Sequence, residues 1–66
     1  MTNNQLLMIG IAHLAKDIYD CRKRLDKTTD EDMKAYLKDI INGCKYTQSQ
    51  IAKIMMEAED ESNNLD

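Results

Sequence analysis

The feature that most constrains this chain is a run of residues, nearly all apolar, spaced alternately four and three apart over residues 33–58. This rhythm is typical of an α-helix that packs lengthwise against a second helix. The positions are Met33, Leu37, Ile40, Cys44, Thr47, Ile51, Ile54 and Ala58. The sequence therefore predicts a long helix in the second half of the chain, with one face against a neighbouring helix.

A matching run with the same spacing occupies the first part of the chain, at Leu7, Ile11, Leu14, Ile18, Cys21 and Leu25. Pro, Trp and Phe are absent and there are only two Gly, which favours helix over sheet. We predict an all-α fold, an antiparallel two-helix hairpin, with helix 1 at about 3–26, a turn at about 27–29 and helix 2 at about 30–58. Its predicted core consists of the two runs without Ala58.

Two capping boxes are predicted from Ser/Thr followed by Glu/Gln three residues later. Thr2 with Gln5 marks the start of helix 1, and Thr28 with Glu31 marks the start of helix 2. A connection this short makes the two helices antiparallel neighbours. Gly43 is expected where the two backbones approach closely, opposite Ala15.

Both helices are apolar beyond these runs, which predicts a further contact. A chain of this mass buries at best about 60% of its unfolded surface, and a thin hairpin buries less. The additional apolar positions, which we expect to form an oligomer or partner interface, are Met8, Ala12, Ala15 and Tyr19 in helix 1 and Tyr36, Ile41 and Met55 in helix 2. The sequence thus predicts a homodimer in which two hairpins form a four-helix bundle.

The chemistry-bearing side chains match no catalytic or metal-binding pattern. Cys21, Cys44 and His13 are far apart in sequence and are expected on different faces, so neither a zinc site nor a Cys–His pair is predicted. The register places the two thiols about 10 Å apart, too far for a disulfide. We predict a protein that is not an enzyme and binds no cofactor. Free thiols, no signal sequence and no membrane span predict a cytoplasmic location.

Charge is distributed unevenly along the chain. Residues 1–29 hold five bases against three acids, and residues 30–66 hold four bases against nine acids, for a net charge of −3. This balance disfavours non-specific nucleic-acid binding, and Lys16, Lys23 and Arg24 are the only candidate RNA contacts. Residues 59–66 are predicted to form an acidic, frayed tail.

The overall plan resembles the repressor-of-primer family of plasmids in its length, capped start, short Asp-containing turn, two cysteines at core positions and acidic tail. In that family, paired first helices present polar and basic side chains and an aromatic to two kissing RNA loops. The resemblance implies a basic role for Lys16 and Arg24, although this chain has no Phe.

Taken together, the sequence predicts a small protein-interaction module, a regulator or inhibitor of the kind that phages and mobile elements encode, which presents a helical face to one protein partner. An RNA-binding regulator with a repressor-of-primer-like bundle is the first alternative, and a structural packing subunit is the second.

Overall fold

The computed structural model describes the backbone of residues 1–64 and the side chains of residues 1–58. It consists of two helices, α1 (Asn3–Lys27) and α2 (Glu31–Asn64), packed against each other. The predicted all-α fold with two packed helices is confirmed. The three residues between the helices allow only a tight reversal, and Asn4 lies beside Met55 and Met56 while Ile11 lies beside Gln48. The helices are therefore antiparallel.

The start of α1 is closed by the predicted capping box. The Thr2 hydroxyl accepts a hydrogen bond from the Gln5 amide at 3.2 Å, and the Gln5 side-chain oxygen accepts one from the Thr2 amide at 2.8 Å. These bonds satisfy backbone donors that have no partner within the helix. They stabilise the first turn of α1.

The turn is built differently from the prediction for Thr28. Thr28 ends α1, because its amide donates to the Leu25 carbonyl at 3.2 Å and its hydroxyl donates to the Arg24 carbonyl at 2.6 Å. Asp30 opens α2 instead, since its carboxylate accepts from the Asp32 amide at 3.3 Å. The helix therefore begins two residues later than a cap at Thr28 would place it, and the carboxylate of Asp30 takes the capping role.

The core is small. Among the described side chains, only Ile18, Leu37 and Ile41 are buried, and Leu37 is the most enclosed at 1% exposure. In α1, the predicted core run is buried or half-buried throughout: Leu7, Ile11, Leu14, Ile18, Cys21 and Leu25.

In α2, the face that contacts α1 is rotated from the predicted one. Met33, Thr47 and Ile54 were expected in the core, but they are exposed. Four members of the predicted run are buried or half-buried as expected: Leu37, Ile40, Cys44 and Ile51. The other buried and half-buried positions, which the predicted core did not include, are Lys34, Ile41, Gln48 and Met55. Ile41 and Met55, predicted to face a partner, thus point toward α1. The apolar face of α2 is wider than one neighbour can cover, and α1 occupies one side of it.

The helix α2 continues to Asn64, six residues beyond its predicted end. No Gly or Pro interrupts residues 57–64, so nothing in the sequence forces the helix to stop there. The predicted frayed tail is therefore helical in its backbone up to Asn64. Its last two residues, and the side chains from residue 59 onward, lie outside the described residues.

The hairpin is a rod of 56 × 19 × 11 Å with a radius of gyration of 15.8 Å. A compact domain of this length has a radius of about 11 Å. Neither helix, over the residues that the structure describes, contains an apolar segment long enough to cross a membrane.

Candidate interaction surface

Large apolar side chains are exposed along both helices. Tyr36 is 61% exposed, Met8 59% and Ile54 53%. The other strongly exposed ones are Met1, Leu6, Ile9, Tyr19, Met33, Tyr46 and Met56. Isolated exposed apolar residues are normal on a protein surface, so their arrangement on the faces of the rod decides whether they form a site.

Two sets of contacts between the helices define the two broad faces of the hairpin. On one face Gly10 lies beside Ile51, where a Cβ placed on the glycine would be 3.8 Å from Ile51 Cδ1. On the opposite face, a hollow of about 320 Å³ is lined by Asn4, Ile11, Ala52, Met55 and Met56. Consecutive residues are about 100° apart around a helix, so Ile51 and Ala52 lie on different flanks of the side of α2 that packs on α1.

A continuous uncharged stripe lies on the Ile51 flank of α2. We call it the Gly43 stripe, and it consists of Met33, Tyr36, Ile40, Gly43, Thr47 and Ile54, which helical spacing places on one side of the helix. All of these residues are exposed except Ile40, which is half-buried. The three predicted core residues that α1 leaves uncovered, Met33, Thr47 and Ile54, all belong to it.

Two details make the middle of the Gly43 stripe flat and apolar. The Thr47 hydroxyl donates to the Gly43 carbonyl at 3.0 Å, so its polar group is satisfied within the helix. A Cβ placed on Gly43 would meet nothing within 4 Å. The close approach of α1 expected at Gly43 is therefore wrong, and the glycine opens toward the outside of the hairpin.

The opposite face carries a second stripe, which we call the Ala15 stripe. It consists of Met8, Ala12, Ala15 and Tyr19, all exposed, and it continues the side of α1 that bears Asn4. The interface predicted from the sequence combines this stripe with Tyr36, Ile41 and Met55. The structure does not bring them together, because Tyr36 lies on the Gly43 stripe and the other two point toward α1.

The basic residues form a separate group on the outer side of α1. Lys16, Lys23 and Arg24 are all exposed. Lys23 and Arg24 line a shallow hollow of about 460 Å³ together with Asp20 and Lys27, and the Lys23 ammonium lies 5.1 Å from the centre of the Tyr19 ring. The hollow thus combines three cations with one carboxylate, and a cation–π contact holds one of the cations.

The remaining reactive side chains are dispersed. Cys21 and Cys44 are half-buried free thiols, and His13 is exposed. Among the described residues, no group of three or more His, Cys, Asp or Glu side chains is placed to hold a metal ion.

One polar contact between the helices was not predicted. The Gln48 side-chain amide donates to the Ile11 carbonyl at 3.1 Å and is partly buried. The sequence did contain a signal for it, since Gln48 follows Ile41 by seven residues and Cys44 by four, which places it on the face of α2 that α1 covers.

The comparisons with known proteins found no relative that assigns a function. No family model, no curated protein and no solved structure matches the chain.

Proposed function

We propose that the chain is a non-enzymatic protein-interaction module, a small regulator or inhibitor that works as a homodimer and acts through its exposed helical faces. The observation that carries this proposal is the amount of surface that one copy leaves exposed. The accessible surface of the chain is 5408 Å². A compact monomer of the same mass exposes about 4,300 Å².

This difference is large enough to supply a stable interface. The excess of about 1,100 Å² exceeds the approximately 800 Å² that each partner contributes to a standard protein–protein interface. Self-association satisfies the requirement with the surfaces already described, since every copy carries both stripes. Two hairpins stacked face to face form a four-helix bundle, in which each helix contacts two neighbours instead of one.

The rotated core of α2 supports the same assembly. A helix with a single neighbour needs one narrow apolar stripe, whereas a helix with two adjacent neighbours needs a second apolar stripe beside the first. In α2, the side centred on Ile41 and Gln48 packs on α1, and the Gly43 stripe borders it on one flank. The predicted core run of α2 is centred between the side that packs on α1 and the Gly43 stripe, as expected for a helix with two neighbours.

RNA binding is the second candidate, because Lys23, Arg24 and Lys27 share one hollow. Asp20 in the same hollow repels phosphate, and the stacked position of Lys23 over Tyr19 occupies the aromatic face on which a base would stack. We therefore expect the double variant Lys23→Glu and Arg24→Glu to retain the assembly behaviour of the unmodified chain. Loss of affinity for a structured RNA in that variant would instead favour the RNA-binding role.

Thermal unfolding at several protein concentrations tests the proposed self-association. The melting temperature of a dimer rises with protein concentration, because association stabilises only the folded chain. We expect such a rise from the low-micromolar to the high-micromolar range. A melting temperature that does not change over this range would contradict the proposal.

A further inference from the structure

We infer that the Gly43 stripe is the contact between the two copies, and that α2 of one protomer packs antiparallel against α2 of its partner. This inference rests on the self-association proposed above and specifies its surface and its orientation. Two points need support: that the dimer forms through the face of the hairpin that bears the Gly43 stripe, and that α2 faces α2 of the partner and not α1.

The two flanks of α2 differ in charge. From Met33 to Ile54, none of the six members of the Gly43 stripe is charged. The other flank of α2 carries Lys45 beside Ala52. Burial of an ammonium without a partner is costly, so the uncharged flank of α2 is the better contact for a second helix.

Gly43 has a physical role only if a second helix covers it. Glycine in the middle of a helix is less favourable than alanine, and no atom of the protomer outside α2 comes close enough to require it. Without a side chain at this position, another helix backbone can approach closely. The open glycine at the centre of an apolar stripe is therefore accounted for by a helix of the partner.

Four of the six members of the stripe are arranged symmetrically about its centre. Met33 lies ten residues before Gly43 and Ile54 lies eleven after it, while Ile40 lies three before and Thr47 four after. A twofold axis between Gly43 and Cys44 pairs Met33 with Ile54 of the partner and Ile40 with Thr47 of the partner. An isologous contact requires this type of self-complementary spacing.

Two face-to-face arrangements have twofold symmetry. If the ends of the hairpins are reversed, α2 faces α2; if the ends are matched, α2 faces α1 of the partner. In the matched arrangement, the Gly43 stripe would lie on the side of α1 that bears Leu6, Gly10, His13 and Asp17 at helical spacing. An apolar stripe packs better on a copy of itself than on a carboxylate and an imidazole.

Charge at the open end of the hairpin favours the same choice. Residues 53–64 hold one base against four acids. Matched ends would bring two of these acidic segments together, whereas reversed ends place them at opposite ends of the bundle. The repulsion between like charges is therefore lower in the α2–α2 arrangement.

Gly43→Glu tests the contact surface, with Asn42→Glu as the matched control. The new side chain has free space in the protomer, so the helix content should be unchanged. In the dimer, two carboxylates would be buried next to the twofold axis, and dimerisation should weaken by about a hundredfold or more. Asn42 is exposed on the outer side of α2, away from the Gly43 stripe, so its substitution should leave the dimer intact.

Mixed disulfide formation tests the orientation. Met33→Cys and Ile54→Cys are introduced separately into a chain in which Cys21 and Cys44 are replaced by Ala. On oxidation, a mixture of the two proteins should give a disulfide that joins the Met33→Cys thiol of one copy to the Ile54→Cys thiol of the other, while each protein alone should give little crosslink. A dimer that forms no such mixed disulfide, or that joins Met33→Cys to itself, would overturn the antiparallel α2–α2 arrangement.

The oligomeric state of the unmodified chain and of Gly43→Glu distinguishes failure of this interface from failure of the proposed self-association. If the unmodified chain is monomeric at high-micromolar concentration, both are wrong. If the unmodified chain is a dimer and Gly43→Glu dimerises equally well, the Gly43 stripe is not the interface, while the proposed self-association stands.

Discussion

Gln48 and Ile11 are joined by the only side-chain hydrogen bond between the two helices within residues 1–58, from the Gln48 amide nitrogen to the Ile11 carbonyl oxygen at 3.1 Å. The Ile11 carbonyl lies inside α1, so Gln48 bonds to the backbone of a helix. This contact ties α2 to α1 at the height of Ile11 and gives a hydrogen-bond partner to an amide that is partly buried.

Gln48→Ala should lower the free energy of unfolding by about 1 kcal/mol, the net value of one such hydrogen bond. Urea unfolding followed by circular dichroism measures the change. Gln50→Ala is the matched control, because Gln50 is exposed, and it should be nearly neutral. Equal effects of the two substitutions would show that the hydrogen bond to Ile11 does not stabilise the hairpin.

Leu37→Ala should be among the most destabilising single substitutions in the chain. Leu37 is 1% exposed, and removal of a buried leucine side chain costs about 2–5 kcal/mol. In a hairpin with three buried side chains, this loss should largely abolish folded helix at room temperature, as measured by circular dichroism. Tyr46→Ala, at a residue that is 67% exposed, should unfold like the unmodified chain. A Leu37→Ala protein with unchanged stability would disprove this position of the core.

Asp30→Ala should cost about 1 kcal/mol of stability, because it removes the carboxylate that accepts from the Asp32 amide at the start of α2. Amide hydrogen exchange at Asp32 should become faster in this variant. Thr28→Ala should leave the exchange at Asp32 unchanged, since the Thr28 hydroxyl bonds to Arg24 in α1. Faster exchange at the Glu31 amide in Thr28→Ala, with no change at Asp32 in Asp30→Ala, would assign the cap of α2 to Thr28.

Gly43→Ala should have opposite effects on the protomer and on the dimer. The methyl group meets no other atom within 4 Å, so the helix should gain about 1 kcal/mol from the higher propensity of alanine. At high protein concentration the gain should shrink, because the methyl group keeps the partner helix at a greater distance. Unfolding curves at two concentrations give both values. An identical gain at both concentrations would argue against Gly43 at the interface.

The sequence predicts α1 more closely than α2, for a physical reason. In α1 the run from Leu7 to Leu25 coincides with the side that packs on α2. In α2 the centre of the apolar pattern lies between the side that packs on α1 and the Gly43 stripe. Periodicity locates the centre of the apolar surface of a helix, but it does not indicate how many neighbours share that surface. Met33, Thr47 and Ile54 were therefore assigned to the wrong side.

The turn and the end of α2 were mispredicted because local signals compete. Thr28 and Asp30 are both good capping residues, and the choice of Asp30 is visible only in the structure, where its carboxylate accepts from the Asp32 amide and Thr28 ends α1. The acidic composition after residue 57 favoured a frayed tail, but acidic residues do not prevent helix formation in the absence of Gly and Pro. The register contact of Gln48 depends on the relative height of the two helices, which spacing within one helix does not give.

Sedimentation equilibrium of the unmodified chain, from low-micromolar to high-micromolar concentration, tests the central claim most directly. The claim is that one copy leaves more apolar helical surface exposed than a stable protein of this size sustains. We predict a mass that rises with concentration from the 7.6 kDa of one chain toward twice that value. A fully helical protein that keeps the mass of a single chain over the whole range would contradict the account.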